Sequence, residues 1–188
     1  MLTKEIEAHR DVVTLRDGVR VLLRPLIHDD LDRLLEFYGS VGEDDLRNLR
    51  HNVKDPALIK DWCENLDYEK TLPLLALFKE RVVGSASLHY FEGPKRHIAE
   101  VRLFLAKDFR KRGLGMKMVR ALVDIARKQD VKILIAEIIA EQPKVVRAFE
   151  QVGFSSRCTL EDFFIYPDGD TSDVVLTTMN LRPKSDEF

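Results

Sequence analysis

Two aliphatic runs flank an amphipathic helical pattern between residues 98 and 138. The runs, IAEVRLFLA and VKILIAEI, predict strands, and the intervening segment at about 112–129 predicts a helix that buries one face, with Leu114, Met118, Leu122 and Ile125. The second run is almost continuously apolar, as is typical of a strand covered on both faces. Such a strand–helix–strand unit requires a parallel strand pair joined by a right-handed crossover.

The remaining segments predict further strands and helices around this unit. DGVRVLLRPL predicts a strand from about Val19 to Leu26, and Asp29 and Asp55 are predicted to cap two successive helices. TLPLLALFKE and RVVGSASLHYF predict antiparallel strands, EQPKVVRAFEQVGF a helix at about 143–152, and the segments around PDGD a final hairpin. The predicted order is β-α-α-β-β-β-α-β-α-β-β. This is an α/β fold with a mixed, twisted sheet of about seven strands and helices on both faces.

Length and composition limit the class of protein. The 188 residues, 45% of them hydrophobic, suit a single domain at 1–188, with a core at about 18–181 and polar tails at 1–10 and 182–188. A net charge of -2 and a pI near 6.2 give no global reason to expect nucleic acid. No apolar run approaches the roughly 20 residues that cross a bilayer.

The cysteines and the first residues predict a compartment. Cys63 and Cys158 are too few for a disulfide scaffold and lack metal-ligand spacing. The start of the chain, MLTKEIEAHRDVV, has no apolar core of the kind found in signal peptides. A cytoplasmic protein is therefore expected.

A pair of glycines follows the first strand of the crossover unit, in FRKRGLGMKM at residues 109–118. A chain that turns from a strand into a helix leaves amide N–H groups unpaired, and these groups and the helix dipole attract anions. Because Gly113 and Gly115 lack Cβ, two linked phosphates can approach the amides from about Arg110 to Gly115. Diffuse positive potential is expected from four side chains, Arg110, Lys111, Arg112 and Lys117.

Other phosphate motifs do not fit these residues. A dinucleotide-binding G-x-G-x-x-G would need glycine where this chain has Met118, and the P-loop pattern is absent. The simpler alternative is that the glycines only permit a tight connection and that the cationic side chains are solvated.

The surrounding residues resemble the GNAT superfamily of N-acetyltransferases. Arg110, Gly113 and Gly115 match all three fixed positions of its pyrophosphate motif, Q/R-x-x-G-x-G/A, and AFEQVGF follows downstream. The resemblance spans about residues 18–181. Within the superfamily, DGVRVLLRPL and the final hairpin are most similar to the catalytic domain of Pat-type protein lysine acetyltransferases.

The resemblance implies acetyl-CoA as co-substrate and no metal. Its pantetheine arm is expected in a gap where the strand with Phe104 and Leu105 diverges from the strand with residues 135–137, paired with main-chain groups by strand addition. A main-chain amide near Leu105 is expected to stabilise the oxyanion. The implied cofactor-binding residues are Leu103, Phe104, Leu105, Arg110, Lys111, Arg112, Gly113, Leu114, Gly115 and Lys117.

Acetyl transfer to an amine requires a base. A lysine ammonium, with a pKa of about 10.4, is almost fully protonated at pH 7, and only the neutral nitrogen attacks a thioester. Glu100 matches the carboxylate that serves as general base, often through water, in many GNAT protein acetyltransferases. This role requires partial desolvation by apolar neighbours on the strand. The alternative is an exposed glutamate paired with Arg102 or Lys95.

Four other groups compete for the base role. Glu137, at the end of the neighbouring strand, is the stronger rival, while Glu141 can be interpreted as favourable charge near a helix N-terminus. His89 and His97 lie near the corner of the strand meander, where a histidine is more often a surface or satisfied residue.

Two positions depart from the family pattern. Many members have asparagine at the position of Gln142 and a tyrosine general acid at that of Phe149. Phe149 cannot donate a proton, and core packing is its expected role. A thiolate is a tolerable leaving group without full protonation, since its acid has a pKa of about 8.5. Tyr90 or water remains available as acid, and Pat-type domains commonly lack that tyrosine.

The sequence thus favours an acetyl-CoA-dependent N-acetyltransferase with a protein lysine as acceptor. A small amine, an amino acid or an aminoglycoside is the nearest alternative acceptor. A non-catalytic acyl-CoA sensor and a nucleic-acid-binding protein are the competing classes, and a homodimer through the final hairpin is the family-level expectation for assembly.

Overall fold

A single eight-stranded sheet organises the chain in the computed structural model, which describes Ile6 and residues 8–181. The strands are β1 (Asp11–Thr14), β2 (Arg20–Pro25), β3 (Thr71–Phe78), β4 (Arg81–Tyr90), β5 (Ile98–Leu105), β6 (Ile133–Ile139), β7 (Ser155–Ile165) and β8 (Thr171–Asn180). Their order across the sheet is β1-β2-β3-β4-β5-β6-β8-β7. The helices are α1 (Leu31–Gly39), α2 (Glu43–Leu46), α3 (Pro56–Glu64), α4 (Leu114–Lys128) and α5 (Pro143–Val152).

The predicted mixed α/β fold is confirmed, with two elements added. β1 is a four-residue strand that pairs with β2, and α2 is a single helical turn. Neither has the apolar periodicity from which elements are recognised, because β1 is largely exposed and α2 contains Glu43, Asp44 and Asp45.

The crossover joins the one parallel pair of strands among the described residues. β5 and β6 pair in register only from Ile98 opposite Ile133 to Glu100 opposite Ile135. Beyond Glu100, β5 is paired only with β4, whereas β6 pairs along its whole length with β8. The two strands therefore diverge and leave a gap in the sheet.

Helices cover both faces of the sheet. On one face α4 buries Leu114, Met118 and Leu122 against the central strands, together with Phe149 of α5. On the other face α1 and α3 pack Leu34 and Ile59 in a second cluster. Asp55 caps α3 as predicted, accepting a hydrogen bond of 2.9 Å from the amide of Ala57.

The N-terminal region contributes more to the core than its polarity predicted. Ile6 and Leu15 are 8% and 3% exposed and belong to the main hydrophobic cluster. Of the predicted polar tails, residues 1–5, 7 and 182–188 lie outside the described residues. Within the described part of the chain, none of the helices has the length and apolar character needed to cross a membrane.

Candidate active site

The glycine segment forms a turn of unpaired amides at the start of α4. Gly113 precedes the helix with φ of +87°, and Lys111 also lies in the left-handed region at +60°. The first amide with a partner at this end is that of Lys117, which donates to the Gly113 carbonyl at 3.3 Å. Within the described residues, the amides of residues 111–116 donate no hydrogen bond. We call residues 110–116 the amide corner, a ready site for an anion.

The two glycines of the amide corner are required for different structural reasons. The positive φ of Gly113 strains any residue with a Cβ. At Gly115 a Cβ would lie 3.1 Å from Leu103 Cδ2 and 3.4 Å from Leu105 Cδ1, so glycine lets the helix start close to β5. Together the two glycines place α4 directly behind the diverging half of β5.

Two of the four predicted cationic side chains are neutralised by carboxylates. Arg110 makes a bidentate pair with Asp45 of α2, at 2.9 Å for both bonds, and its Nε donates to the Leu105 carbonyl at 3.0 Å. Arg112 pairs with Asp17 at 2.5 Å. Lys111 and Lys117 form no ion pair within the described residues. The positive potential at the amide corner is therefore smaller than the sequence predicted.

The amide corner opens into a cleft of about 1250 Å³ that extends along the gap between β5 and β6. Seven of the predicted cofactor-binding residues line it, namely Leu103, Phe104, Leu105, Arg110, Lys111, Gly113 and Gly115, and so do the candidate bases Glu137 and His89. Four others, Glu100, Arg112, Leu114 and Lys117, do not. Leu114 has a fully buried side chain, so only its main-chain amide faces the corner.

Alternation along β4 and β5 builds the floor of the inner end of the cleft. Phe104 contacts Phe37 and Tyr38 of α1, which places Arg102 and Glu100 on that same face. In the antiparallel register, Ser85, Ser87 and His89 stand opposite Phe104, Arg102 and Glu100. Short hydroxyl side chains in the middle of a covered sheet leave room for a ligand.

His89 is held in its neutral form. Its Nε2 lies 2.9 Å from Ser87 Oγ and its Nδ1 3.3 Å from Thr71 Oγ1. Burial, aided by the nearby Arg102 and Arg50, lowers the pKa of His89 to about 3. With both ring nitrogens engaged and so low a pKa, His89 is a weak proton acceptor.

Two arginines and two glutamates meet where β5 and β6 separate. Arg50 Nη2 lies 2.6 Å from Glu100 Oε1 and 2.7 Å from Glu137 Oε2, while Arg102 Nη2 donates to Glu100 Oε2 at 2.9 Å. The side chains of Glu100 and Glu137 are 6% and 17% exposed. We call these four residues the carboxylate cluster. Glu100 lies behind Arg50, whereas Glu137 faces the cleft.

Arg50 had no signal in the sequence. Its segment, GEDDLRNLRHN, has the pattern of a solvated charged surface. Arg50 and Glu137 are 87 positions apart in the sequence, and only the fold brings them together. Tyr38 was missed for a similar reason, because it belongs to the apolar stripe of α1 yet lines the cleft.

Three other residues named from the sequence, Glu141, Tyr90 and Phe149, have structural roles. Glu141 is near Ser172 Oγ, 3.4 Å from each carboxylate oxygen, and does not line the cleft. Tyr90 donates to Gln129 Oε1, outside the cleft, and burial raises its pKa. Phe149 is 5% exposed and packs edge-on against Phe154, so it serves the core even though it also borders the cleft.

The sequence that folds into this arrangement also matches the model of a known protein family. The acetyltransferase (GNAT) domain model matches residues 20–155, which is most of the chain. The chain belongs to the GNAT acetyltransferase family. The predicted acetyl-CoA-dependent N-acetylation is thereby confirmed at the level of the family, and the protein is an acyltransferase.

Individual relatives agree with this assignment. The chain is 30% identical over 131 residues to acetyltransferase PA5475 of Pseudomonas aeruginosa, covering 65% of this chain and 68% of that protein. The GNAT domain of S. lividans PAT has a similar structure, with a TM-score of 0.73, 21% identity, and coverage of 91% of this chain and 96% of that one. Salmonella typhimurium yncA, solved with its cofactor acetyl-CoA, has a TM-score of 0.72 and 17% identity, and the match covers 88% of this chain and 96% of that one.

Proposed function

We propose that this GNAT acetyltransferase binds the pyrophosphate of acetyl-CoA at the amide corner and lays the pantetheine arm in the gap between β5 and β6. The observation that carries the proposal is the set of unpaired amides at residues 111–116, which opens directly into that gap. The unpaired edge of β5 from Val101 onward offers main-chain groups to the amides of the pantetheine.

The chemistry proposed at the inner end is direct attack by an amine on the thioester. Glu100 is assigned as general base, with Glu137 as the alternative, since both carboxylates lie at the point where the gap closes. A new N–C bond replaces the C–S bond, and the proton that leaves the nitrogen ends on the coenzyme A thiolate. The main-chain amide near Leu105 stabilises the oxyanion.

A protein lysine is the favoured acceptor. Support comes from the similarity of DGVRVLLRPL and the final hairpin to Pat-type domains and from the structural likeness to S. lividans PAT. A lysine can reach the carboxylate cluster as one extended side chain.

A small-molecule amine is the second candidate, and one feature of the cleft favours it. Arg47 bonds to Asp170 at 2.9 Å and lies over the Tyr166 ring at 4.2 Å, while Arg50 lies 5.1 Å from the Phe164 ring. These contacts join the α2–α3 connection to the β7–β8 hairpin above the inner end. A covered inner end admits a small amine more readily than a folded protein.

One incubation tests the proposed function. Purified protein is mixed with acetyl-CoA and either a cell lysate or an amine library, and free coenzyme A and acetylated products are measured by mass spectrometry. Acetylated lysines support the first acceptor class, and acetylated small amines support the second. Retention of acetyl-CoA without transfer to any acceptor would instead favour a sensor.

Assembly is proposed to use the final hairpin. β7 is an edge strand of the sheet, and its side chains Phe163 and Ile165 are 49% and 75% exposed. Apolar side chains on an edge strand are usually covered by a partner. Light scattering of the intact protein is expected to give the mass of a dimer, and Ile165→Lys is expected to reduce it to that of a monomer.

A further inference from the structure

A single nitrogen bridges the two acids of the carboxylate cluster. Arg50 Nη2 contacts Glu100 Oε1 and Glu137 Oε2, at 2.6 and 2.7 Å, at the inner end of the cleft. The two glutamates come from neighbouring strands at the point where their pairing stops. The position of that nitrogen is therefore fixed by the sheet, not by the segment that carries Arg50.

Arg50 does not satisfy all the hydrogen-bond acceptors at this position. Glu100 Oε1 is buried, and although Arg50 Nη2 is close to it, no N–H in the described part of the chain points at that oxygen. The planar fork of a guanidinium fixes the direction of its N–H bonds, whereas an ammonium has three donors that rotate freely. A primary ammonium at the same place can donate to both carboxylates and still point one donor toward the cleft.

Arg50 is also placed so that it can leave. It lies in the connection between α2 and α3, where residues 50–52 form no helix or strand, and His51 and Asn52 are exposed. The Arg50 side chain is 30% exposed, and its guanidinium lies 5.1 Å from the centre of the Phe164 ring. Its stem is thus not enclosed by the core, unlike the glutamates that it bridges.

We propose that the position of Arg50 Nη2 is the subsite for the cationic nitrogen of the acceptor, and that Arg50 occupies it in place of the substrate. An incoming primary alkylammonium displaces the guanidinium and binds between Glu100 and Glu137 beside the thioester. This inference rests on the proposed function and adds the place where the acceptor nitrogen binds, which suits a primary alkylamine that is charged in solution. Arg50 thereby excludes weakly bound cations from the site.

The subsite can be tested without any transfer reaction. Methylguanidinium and methylammonium are titrated by calorimetry into wild type, Arg50→Ala and the double variant Arg50→Ala/Glu137→Gln. Binding to Arg50→Ala is expected at about 1–10 mM, a range within reach of a very small ligand. Binding is expected to be at least about tenfold weaker to wild type, where Arg50 competes, and to the double variant, where one carboxylate charge is lost.

Arg47→Ala is the matched control. Arg47 lies in the same segment and holds it to the hairpin through Asp168 and Asp170, without touching the carboxylate cluster. The Arg47→Ala variant should bind neither methylguanidinium nor methylammonium more tightly than wild type does. Equal binding by Arg47→Ala and Arg50→Ala would mean that loosening of the segment, and not vacancy of the subsite, is responsible, and the proposal would fail.

Two further measurements separate the ways in which the test can fail. If Arg50→Ala is not folded by circular dichroism, Arg50→Gln, which keeps part of the stem but no charge, replaces it in the same titration. Absence of probe binding to a folded, coenzyme A-binding variant overturns the subsite. Absence of coenzyme A binding by wild type overturns the proposed function instead and leaves the probe titration interpretable.

Discussion

The amide corner and the carboxylate cluster lie at opposite ends of one cleft and are built on different principles. The amide corner is a local structure, in which the consecutive residues 111–116 supply unpaired main-chain donors. The carboxylate cluster is assembled from side chains of β5, β6 and the α2–α3 connection. The first end depends on backbone conformation and the second on the exact placement of charges, so substitutions at the two ends should have different consequences.

The largest effect is expected at the amide corner. Gly113→Asp and Gly115→Asp each introduce a carboxylate at the proposed phosphate site, and Gly113→Asp also strains a residue with φ of +87°. Coenzyme A affinity, measured by calorimetry, should fall by about 10³-fold. Gly169→Asp is the control, because Gly169 has a similar φ of +90° and open space around it, and it lies in the β7–β8 turn, outside the lining of the cleft. Unchanged affinity in the folded corner variants would refute the proposed phosphate site.

At the carboxylate cluster the expected effect is on transfer and not on cofactor binding. Glu100→Gln should lower the rate of acetyl transfer by about 10²-fold, the usual scale for a lost general base, with coenzyme A affinity unchanged. Glu137→Gln, measured in parallel, shows which acid has the role. A larger loss of transfer rate in Glu137→Gln than in Glu100→Gln would show that Glu137, which faces the cleft, is the general base.

Acid should destabilise the protein because His89, which lies opposite Glu100 in the sheet, is buried in its neutral form. The folded-state pKa of His89, about 3, is below its unfolded value of about 6.5, so its contribution to stability is complete above pH 6.5 and is lost as pH falls toward 3. For one proton taken up on unfolding, the free energy of unfolding falls by about 1.4 kcal/mol per pH unit, or by about 2 kcal/mol between pH 6.5 and 5.

Urea unfolding at several pH values measures this loss. The free energy of unfolding of His89→Gln should fall less steeply over that range than that of wild type. Equal slopes in the two proteins would mean that His89 does not remain neutral in the folded state.

The smallest effect is a gain of affinity at the amide corner. Asp45 faces the cleft and holds the Arg110 guanidinium, so Asp45→Asn removes a negative charge near the phosphates and frees a positive one. Coenzyme A should bind about threefold to tenfold more tightly. Asp17→Asn, which frees Arg112 outside the cleft lining, should change affinity much less. Weaker binding in folded Asp45→Asn would show that Asp45 is needed to position Arg110.

Elements with strong local patterns were predictable. The amphipathic stripe of α4, the cap and proline of α3 and the apolar runs of the central strands all identify themselves within about ten residues. β1 and α2 were missed because neither has an apolar pattern of its own: β1 is a short exposed strand held by its pairing with β2, and α2 is an acidic turn held by the pair of Asp45 with the distant Arg110.

The candidate site divides in the same way. Gly113 and Gly115 were identifiable because bare glycines where a strand turns into a helix are typical of an anion site. The pairing of Arg110 with Asp45 was not, since 65 positions separate the two residues and many carboxylates could have served. Glu100 was singled out through family resemblance, but its position behind Arg50 follows only from the packing of the α2–α3 connection.

The sequence by itself determined the parallel crossover, the glycine turn that begins α4 and hence the place where a diphosphate can bind, because each depends on the conformational preferences of neighbouring residues. Only the tertiary structure decided which charges meet at the inner end of the cleft. An ion pair requires its partners to be within a few ångströms, and the chain positions of Arg50, Glu100 and Glu137 contain no information on that distance until the strands have paired and separated.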